Sequence, residues 1–446
     1  MRQSAWTAAI LVVTCTVLVS SCSAQSPRAE SPRVAAQQRE LDFVVRKLDL
    51  HPVLKNLAKR RAFKAFAGRE LQVAESPLPD WRIALIEECL AAWFRDPHTF
   101  ASPLVGNYPD TRGLPVAFQW LSNGLVTVRM PDTPSAIATG DRVLAVSGVA
   151  TAAVAQRLKG LSGGDTIFTE HLGANELLAY PTLRALGLVE SGRRASLRLE
   201  RADGRRVTVH LALRPQAGGS LKAEVPALER FFATYELPES ALPSGHSGAF
   251  WTWYVTPHYG FFLLSSCAYD AAYERAVTAF FKQVADEHSP VVVLDLQQNG
   301  GGNSDAVIPW LEHLSPLFKA SDVRLATGRG YAPTLPPVQP IFAGRLYVLQ
   351  SSGTFSSAMW LADALTGPGL GVRVGSTIGE PTAGYGNIAE YETPVLHVFL
   401  QVSKQWWPTI KGKAASTLPA QIPLNLTVAD VQHGVNPVTR WLATLP

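Results

Sequence analysis

VVVLDLQQNGGGN, residues 291–303, decides how the rest of the chain is read. Val291–Leu296 is a nearly continuous apolar run, as expected of a strand buried on both faces, and it leads directly into three glycines. Glycine adopts backbone angles closed to other residues and lets a ligand approach the main chain. N–H groups left free in such a turn can hold a developing oxyanion; a purely structural tight turn is the other reading. Downstream, LYVLQSSGTFSSAMWLADAL (346–365) repeats the pattern: the strand Leu346–Gln350, a turn of Ser, Gly and Thr, then a helix starting around Ser356. A hydroxyl there stands at a helix N-terminus, where the N–H of Ser357 can stabilise negative charge. The logic is that of a nucleophile elbow without its GxSxG motif; a helix-capping serine is the alternative. A third strand, 371–378, runs into IGEPTAGYGN (378–387), which alone is only a loop. Tyr273, Val277, Phe280, Phe281 and Val284 recur on one helix face. Strands alternating with helices imply an α/β core of parallel-type strands over residues 246–446.

Upstream, the character changes twice. Residues 114–215 alternate apolar and polar positions around Asn123-Gly124 and around a second turn at 203–204, which reads as a β-rich domain. Within it, GDRVLAVSGV (140–149) is similar to the strand-turn of PDZ-like modules, which bind peptide ends by adding a strand to a sheet edge; any small β-rich domain is the alternative. Residues 216–245 read as a linker. Residues 38–113 read as helical. Leu41, Val44, Val45 and Leu48 share a face up to His51-Pro52, and Ile83, Ile86, Leu90, Trp93 and Phe94 share another up to Asp96-Pro97.

The first 22 residues combine Arg2 with an apolar stretch too short for an ordinary membrane anchor, the pattern of a secretory signal. It ends Val19-Ser20-Ser21-Cys22, similar to a lipobox, with Cys22 as the lipid-bearing residue; cleavage near Ala24, giving a soluble periplasmic protein, is the alternative. Residues 23–37, rich in Ser, Ala, Pro and Gln, read as a flexible tether. The expected location is the bacterial cell envelope, facing the periplasm, with the membrane touched only through the lipid. Over 446 residues, 17% are charged and 47% hydrophobic, and the net charge is +4 without a basic run. That is a folded, multi-domain composition with no footprint for nucleic acid. No CxxC or HExxH spacing suggests a metal, and no cofactor is implied. Cys89 and Cys267 can pair or sit apart as buried thiols.

In order and spacing, the segments 291–303, 351–358 and 379–384 resemble the tail-specific proteases, or C-terminal processing peptidases, and their tricorn-like relatives. Asp96-Pro97-His98-Thr99 resembles the "DGHT" segment of the tricorn-like branch, and DVQHGVNP (430–437) resembles the family's closing "DYxxGxDP". The resemblance implies a crotonase-like α/β core with an N-terminal helical cap and a PDZ-like insert, and peptide-bond hydrolysis in protein or peptide substrates. It aligns Ser356 with the nucleophile, and Gly301 and the N–H of Ser357 with the oxyanion donors, the choice among Gly300, Gly301 and Gly302 being open. Where the Ser-Lys members carry their Lys, this chain has Tyr385, a neutral donor with a pKa near 10. His98, at the tricorn-like position, is the expected general base. The tricorn-like orienting Glu has no counterpart, because no Asp or Glu occurs between Thr393 and Ala429. Glu380, Glu390, Glu392 or Asp430 would have to supply it. Two other functions remain open on these residues: a binding protein that keeps the fold without turnover, as retinoid-binding relatives do, and a crotonase-type acyl-thioester enzyme.

Overall fold

The computed structural model describes residues 31–103, 107–109, 112–130, 132–158, 161, 177, 179–190, 193–215, 246–314, 339–366, 369–407 and 417–445. The signal segment and Cys22 lie outside these. The first helix, α1 (Pro32–Leu48), begins six residues inside the stretch expected to be a tether. Ser31 accepts the N–H of Val34 at its N-terminus and Pro32 occupies its first turn, so a Ser-Pro pair reads as a helix start. Val34 and Gln37 are already buried. α2 (Leu57–Val73) and α3 (Asp80–Ala92) complete the helical region. α3 stops short of the expected Asp96-Pro97, which leaves residues 93–99 as a turn leading into β1 (Phe100–Ser102).

The next region is an antiparallel sheet in the order β2 (Ala117–Leu121), β3 (Gly124–Val128), β4 (Arg142–Val146), β5 (Arg194–Glu200) and β6 (Arg206–Ala212), with α4 (Thr151–Leu158) packed on it. The first hairpin is offset from the Asn123-Gly124 expectation. Leu121 pairs with Gly124, so Ser122 and Asn123 form the turn. Gly124 is instead the first strand residue, where a Cβ would lie 3.3 Å from Val428.

The core holds β7 (Trp251–Val255) and β8 (Gly260–Leu264), antiparallel to each other, followed by β9 (Val291–Asp295), β10 (Arg345–Gln350) and β11 (Gly371–Gly375), each parallel to its predecessor. α5 (Ala271–Asp286), α6 (Ile308–Leu314) and α7 (Ser357–Thr366) cover one face. The other packs on the last helix through Val438 and Leu442. Every residue of β9 is buried, as its apolar composition requires. Because β9, β10 and β11 are parallel neighbours, the loops leaving all three emerge at one edge of the sheet, the position where open α/β sheets build their sites.

From that edge rises a long hairpin, β12 (Gly384–Glu392) and β13 (Phe399–Trp407). Its far half (Leu396, Val398, Leu400, Val402) is buried with Leu41, Ile83 and Leu90 of the helical region. β1 pairs with β13, Phe100 opposite Gln401. The helical region is therefore bound to the core through this hairpin. Cys89 and Cys267 are separate free thiols, and burial pushes both up to about 12.

Candidate active site

The glycine turn after β9 is held by Asn299. Its Oδ1 accepts the Gly301 N–H at 2.9 Å and its amide donates to Leu264 O at 2.9 Å. Gly301 has φ +105° and Gly302 φ +138°, angles that exclude other residues. A Cβ on Gly301 would stand 2.6 Å from Cβ of Ser356, and one on Gly302 would stand 2.6 Å from Cys267 O. The glycines thus bring two loops into contact, in addition to forming a turn. The Gly301 N–H, expected to be an oxyanion donor, is engaged with Asn299. The Gly302 N–H has no acceptor among the described residues.

Several hydroxyls crowd the turn after β10, and most hold the turn together. Ser351 donates to Gln297 O, Thr354 to Leu296 O at 2.8 Å, and Ser357 to Gly302 O at 2.7 Å. Ser352 is buried in the same turn. Ser356 differs: its hydroxyl makes no hydrogen bond among the described residues, and it faces an open cleft. Its φ of +55° is the left-handed conformation, uncommon for a side-chain-bearing residue and characteristic of strained functional turns. α7 begins at Ser357, whose N–H has no earlier helical carbonyl to bond.

His98 reaches this cleft from the turn before β1. Gln401 of β13 donates to His98 O at 3.0 Å, and Ser403 N–H donates to Thr99 Oγ1 at 3.1 Å. The imidazole stacks on Phe355, ring centroids 4.4 Å apart. Its Nε2 is buried without a partner. Burial lowers its pKa below the ordinary histidine value, and the charge of Asp96 only partly opposes this.

Asp96, two residues before the histidine, was not among the acids drawn from the sequence. It is 2% exposed. Oδ2 accepts hydrogen bonds from Ser403 Oγ (2.6 Å), Thr99 Oγ1 (2.7 Å) and His51 Nε2 (3.1 Å). Oδ1 accepts the His98 N–H at 3.0 Å and lies 3.9 Å from His98 Nδ1. Burial pushes this carboxyl up, but the hydrogen bonds and the neighbouring histidine outweigh it and hold the group below the usual carboxylate range. The local sequence signal was the Asp-x-His spacing, which lets an Asp accept the N–H two residues on.

The acids expected from the sequence are placed elsewhere. Glu380 is in the cleft, buried, and accepts the backbone N–H of Ser356. Burial pushes its carboxyl well up, the Ser356 N–H opposes this and the charge of Asp96 adds to it; the side chain holds the serine turn. Asp430 caps its own helix by accepting from Thr427 (2.6 Å) and pairs with Arg440; it does not line the cleft. Glu392 binds Asn107 and His397 at an exposed position, and neither it nor Glu390 lines the cleft. Tyr385 is in the cleft wall and packs edge-on against His51 at 4.5 Å.

The cleft measures about 420 Å³. His98, Ser356, Ser357, Gly302 and Glu380 line its reactive end, and Met359, Trp360 and Trp407 give it an apolar wall. Among the described residues no cluster of His, Cys, Asp or Glu is suited to hold a metal ion. An unpartnered serine at a strained helix start, with a histidine and free N–H groups in one cleft, is the equipment of acyl transfer.

Residues 260–413 match the model of Peptidase family S41. Among solved structures, mature CPAF is similar over 93% of this chain and 96% of its own, at 15% identity and a TM-score of 0.64. Mature CPAF complexed with lactacystin is similar over 93% and 98%, at 14% identity and 0.62. The photosystem II D1 C-terminal processing protease is similar over 87% and 93%, at 18% identity and 0.41. No curated protein sequence is significantly similar to the chain. At these identities the structural likeness speaks for the fold, and the family match speaks for the chemistry. Together they define a serine-type peptidase. Residues 260–413 are thus similar to peptidase family S41, a likeness that implies protein or peptide substrates.

Proposed function

We propose that the protein hydrolyses peptide bonds through an acyl-enzyme on Ser356, with His98 as general base. The observation that carries this reading is the lone free hydroxyl. In a turn whose other hydroxyls are buried or tied to main chain, Ser356 alone lines the cleft without a partner, on a left-handed backbone, in the same cleft as His98. Ser356 Oγ attacks the scissile carbonyl as His98 takes its proton, since a serine hydroxyl is a poor nucleophile without a base. The N–H groups of Ser357 and Gly302 hold the oxyanion; Gly302 replaces Gly301 in this role because the Gly301 N–H already binds Asn299. His98 then returns the proton to the leaving amine, and water releases the acyl group by the same route.

Incubation of the purified protein with a fluorophosphonate probe, followed by peptide mapping, tests this. Label on the peptide containing Ser356, lost in Ser356→Ala, is the expected result. A wild-type protein that takes no label under turnover conditions would leave a binding protein with the peptidase fold.

The reading extends to organisation and location. The core is crotonase-like and residues 114–215 form a PDZ-like module, supported by the antiparallel sheet with α4 and the short helix Tyr180–Ala185 packed with it. The N-terminal pattern supports export and lipid attachment at Cys22, giving a periplasm-facing envelope protein. A wholly soluble wild-type protein, no different from Cys22→Ala in detergent partitioning, would refute the anchor.

A further inference from the structure

We infer that Asp96 is the positioning acid of His98, and that His51 of the helical region holds Asp96 in place for it. The inference rests on His98 acting as the base of the proposed reaction. A general base that becomes a cation needs a neighbouring anion to favour that cation and to fix which ring nitrogen carries the resting proton. Asp96 is the ionised group nearest the ring, 3.9 Å from Nδ1, and its hydrogen bond to the His98 N–H fixes it to the same turn. A proton resting on Nδ1 beside this carboxylate leaves Nε2, which has no partner, as the basic nitrogen.

The other candidates fail on their contacts. Glu380 is engaged with the Ser356 N–H, while Asp430 is a helix cap outside the cleft.

His51 contributes from the opposite side. Its Nδ1 accepts the Val53 N–H at 3.2 Å, so in the neutral ring the proton is on Nε2, which donates to Asp96 Oδ2 at 3.1 Å. Ser403 and Thr99 donate to the same oxygen. Three donors on Oδ2 leave Oδ1 for His98. The remaining titratable groups around the ring are Glu380, Tyr385, which packs on His51, and Asp305 on the cleft lining. The acid that sequence comparison expects late in the chain is thus replaced by one from the histidine's own turn.

The test uses the full chain and a fluorogenic peptide that the wild type cleaves. Asp96→Asn keeps the size and most acceptor contacts but removes the charge. Its kcat/KM should fall by about 10²–10⁴-fold, and the acid limb of its pH–rate profile should move to lower pH, since the imidazolium loses its counter-charge. A purely structural role would lower the rate without moving that limb. His51→Gln retains an amide donor toward Asp96 and should stay within a few-fold of wild type. His51→Leu has no donor and should lose about ten-fold or more. Circular dichroism establishes that each variant is folded; if Asp96→Asn is not, the His51 pair decides. Wild-type rate and acid limb in Asp96→Asn, or equal activity in His51→Gln and His51→Leu, would overturn the inference. If wild-type Ser356 is labelled by fluorophosphonate while Asp96→Asn is unaffected, only this inference falls; if wild type is unlabelled, the peptidase mechanism falls with it.

Discussion

Gly301→Ala is the most informative single change in the site, because it adds one methyl where two loops touch. That carbon would lie 2.6 Å from Ser356 Cβ and 3.0 Å from both Phe355 O and Ser357 N. Carbon–carbon contacts favour about 3.5–4.0 Å, so either the glycine turn or the serine turn must retreat by about an ångström. Two costs combine. A non-glycine residue at φ +105° is strained by about 1–3 kcal/mol, and overpacking a dense interior adds about 1–3 kcal/mol. Stability should therefore fall by about 2–6 kcal/mol. A displacement of about 1 Å at a nucleophile costs on the order of 10²-fold in rate. Urea unfolding gives the first quantity and the rate of fluorophosphonate labelling the second. Gly300→Ala is the control: a Cβ there meets nothing within 4 Å, and stability should stay within about 0.5 kcal/mol. If Gly301→Ala unfolds and labels like wild type, the close approach of the two turns is wrong, and the reasoning about the oxyanion donors goes with it.

Three further outcomes are expected. Ser357→Ala should keep labelling within about ten-fold, because the N–H survives, while stability drops by about 1 kcal/mol on losing the hydroxyl's bond to Gly302 O; complete loss of labelling would shift the nucleophile to Ser357. Since burial lowers the pKa of His98, the base stays neutral below the ordinary histidine value, and the acid limb of kcat/KM should lie below about pH 6.5. The same shift means the unfolded chain takes up the proton first, so this group's contribution to stability declines as pH falls through about 6.5; an acid limb above pH 7 contradicts the assignment. Glu380→Gln, which retains an acceptor for Ser356 N–H, should remain active, and inactivity as deep as that of Ser356→Ala would mean that Glu380 moves a proton.

The parts of the fold legible in the sequence were those written in local pattern. The apolar run of β9 and the glycines after it announced a buried strand and a turn, and the start of α7 at Ser357 followed from the serine-rich turn before it. What stayed hidden was decided between distant segments. Asp96 read as a helix terminator because proline follows it, and its bonds to Ser403 and His51 join segments that no local pattern connects. Asn299 accepts the Gly301 N–H, the expected oxyanion donor, and leaves that of Gly302 free, a choice made by side-chain geometry. Gly124 looked like a turn residue because Asn-Gly usually is one. A Cβ there would crowd Arg142 Nε at 3.2 Å and Val428, from the other end of the chain, at 3.3 Å.

The hairpin of β12 and β13 also bears on when the molecule becomes dangerous to its surroundings. The bond from Ser403 to Thr99 joins residues 304 positions apart, and it is this hairpin that carries His98 to the serine. A chain emerging from its N-terminus holds the histidine from the start, yet has nothing to pair it with until almost all of the sequence has arrived. Such remote pairings form late in folding. On the proposed reaction of Ser356 with His98, proteolytic competence therefore comes only with the finished fold.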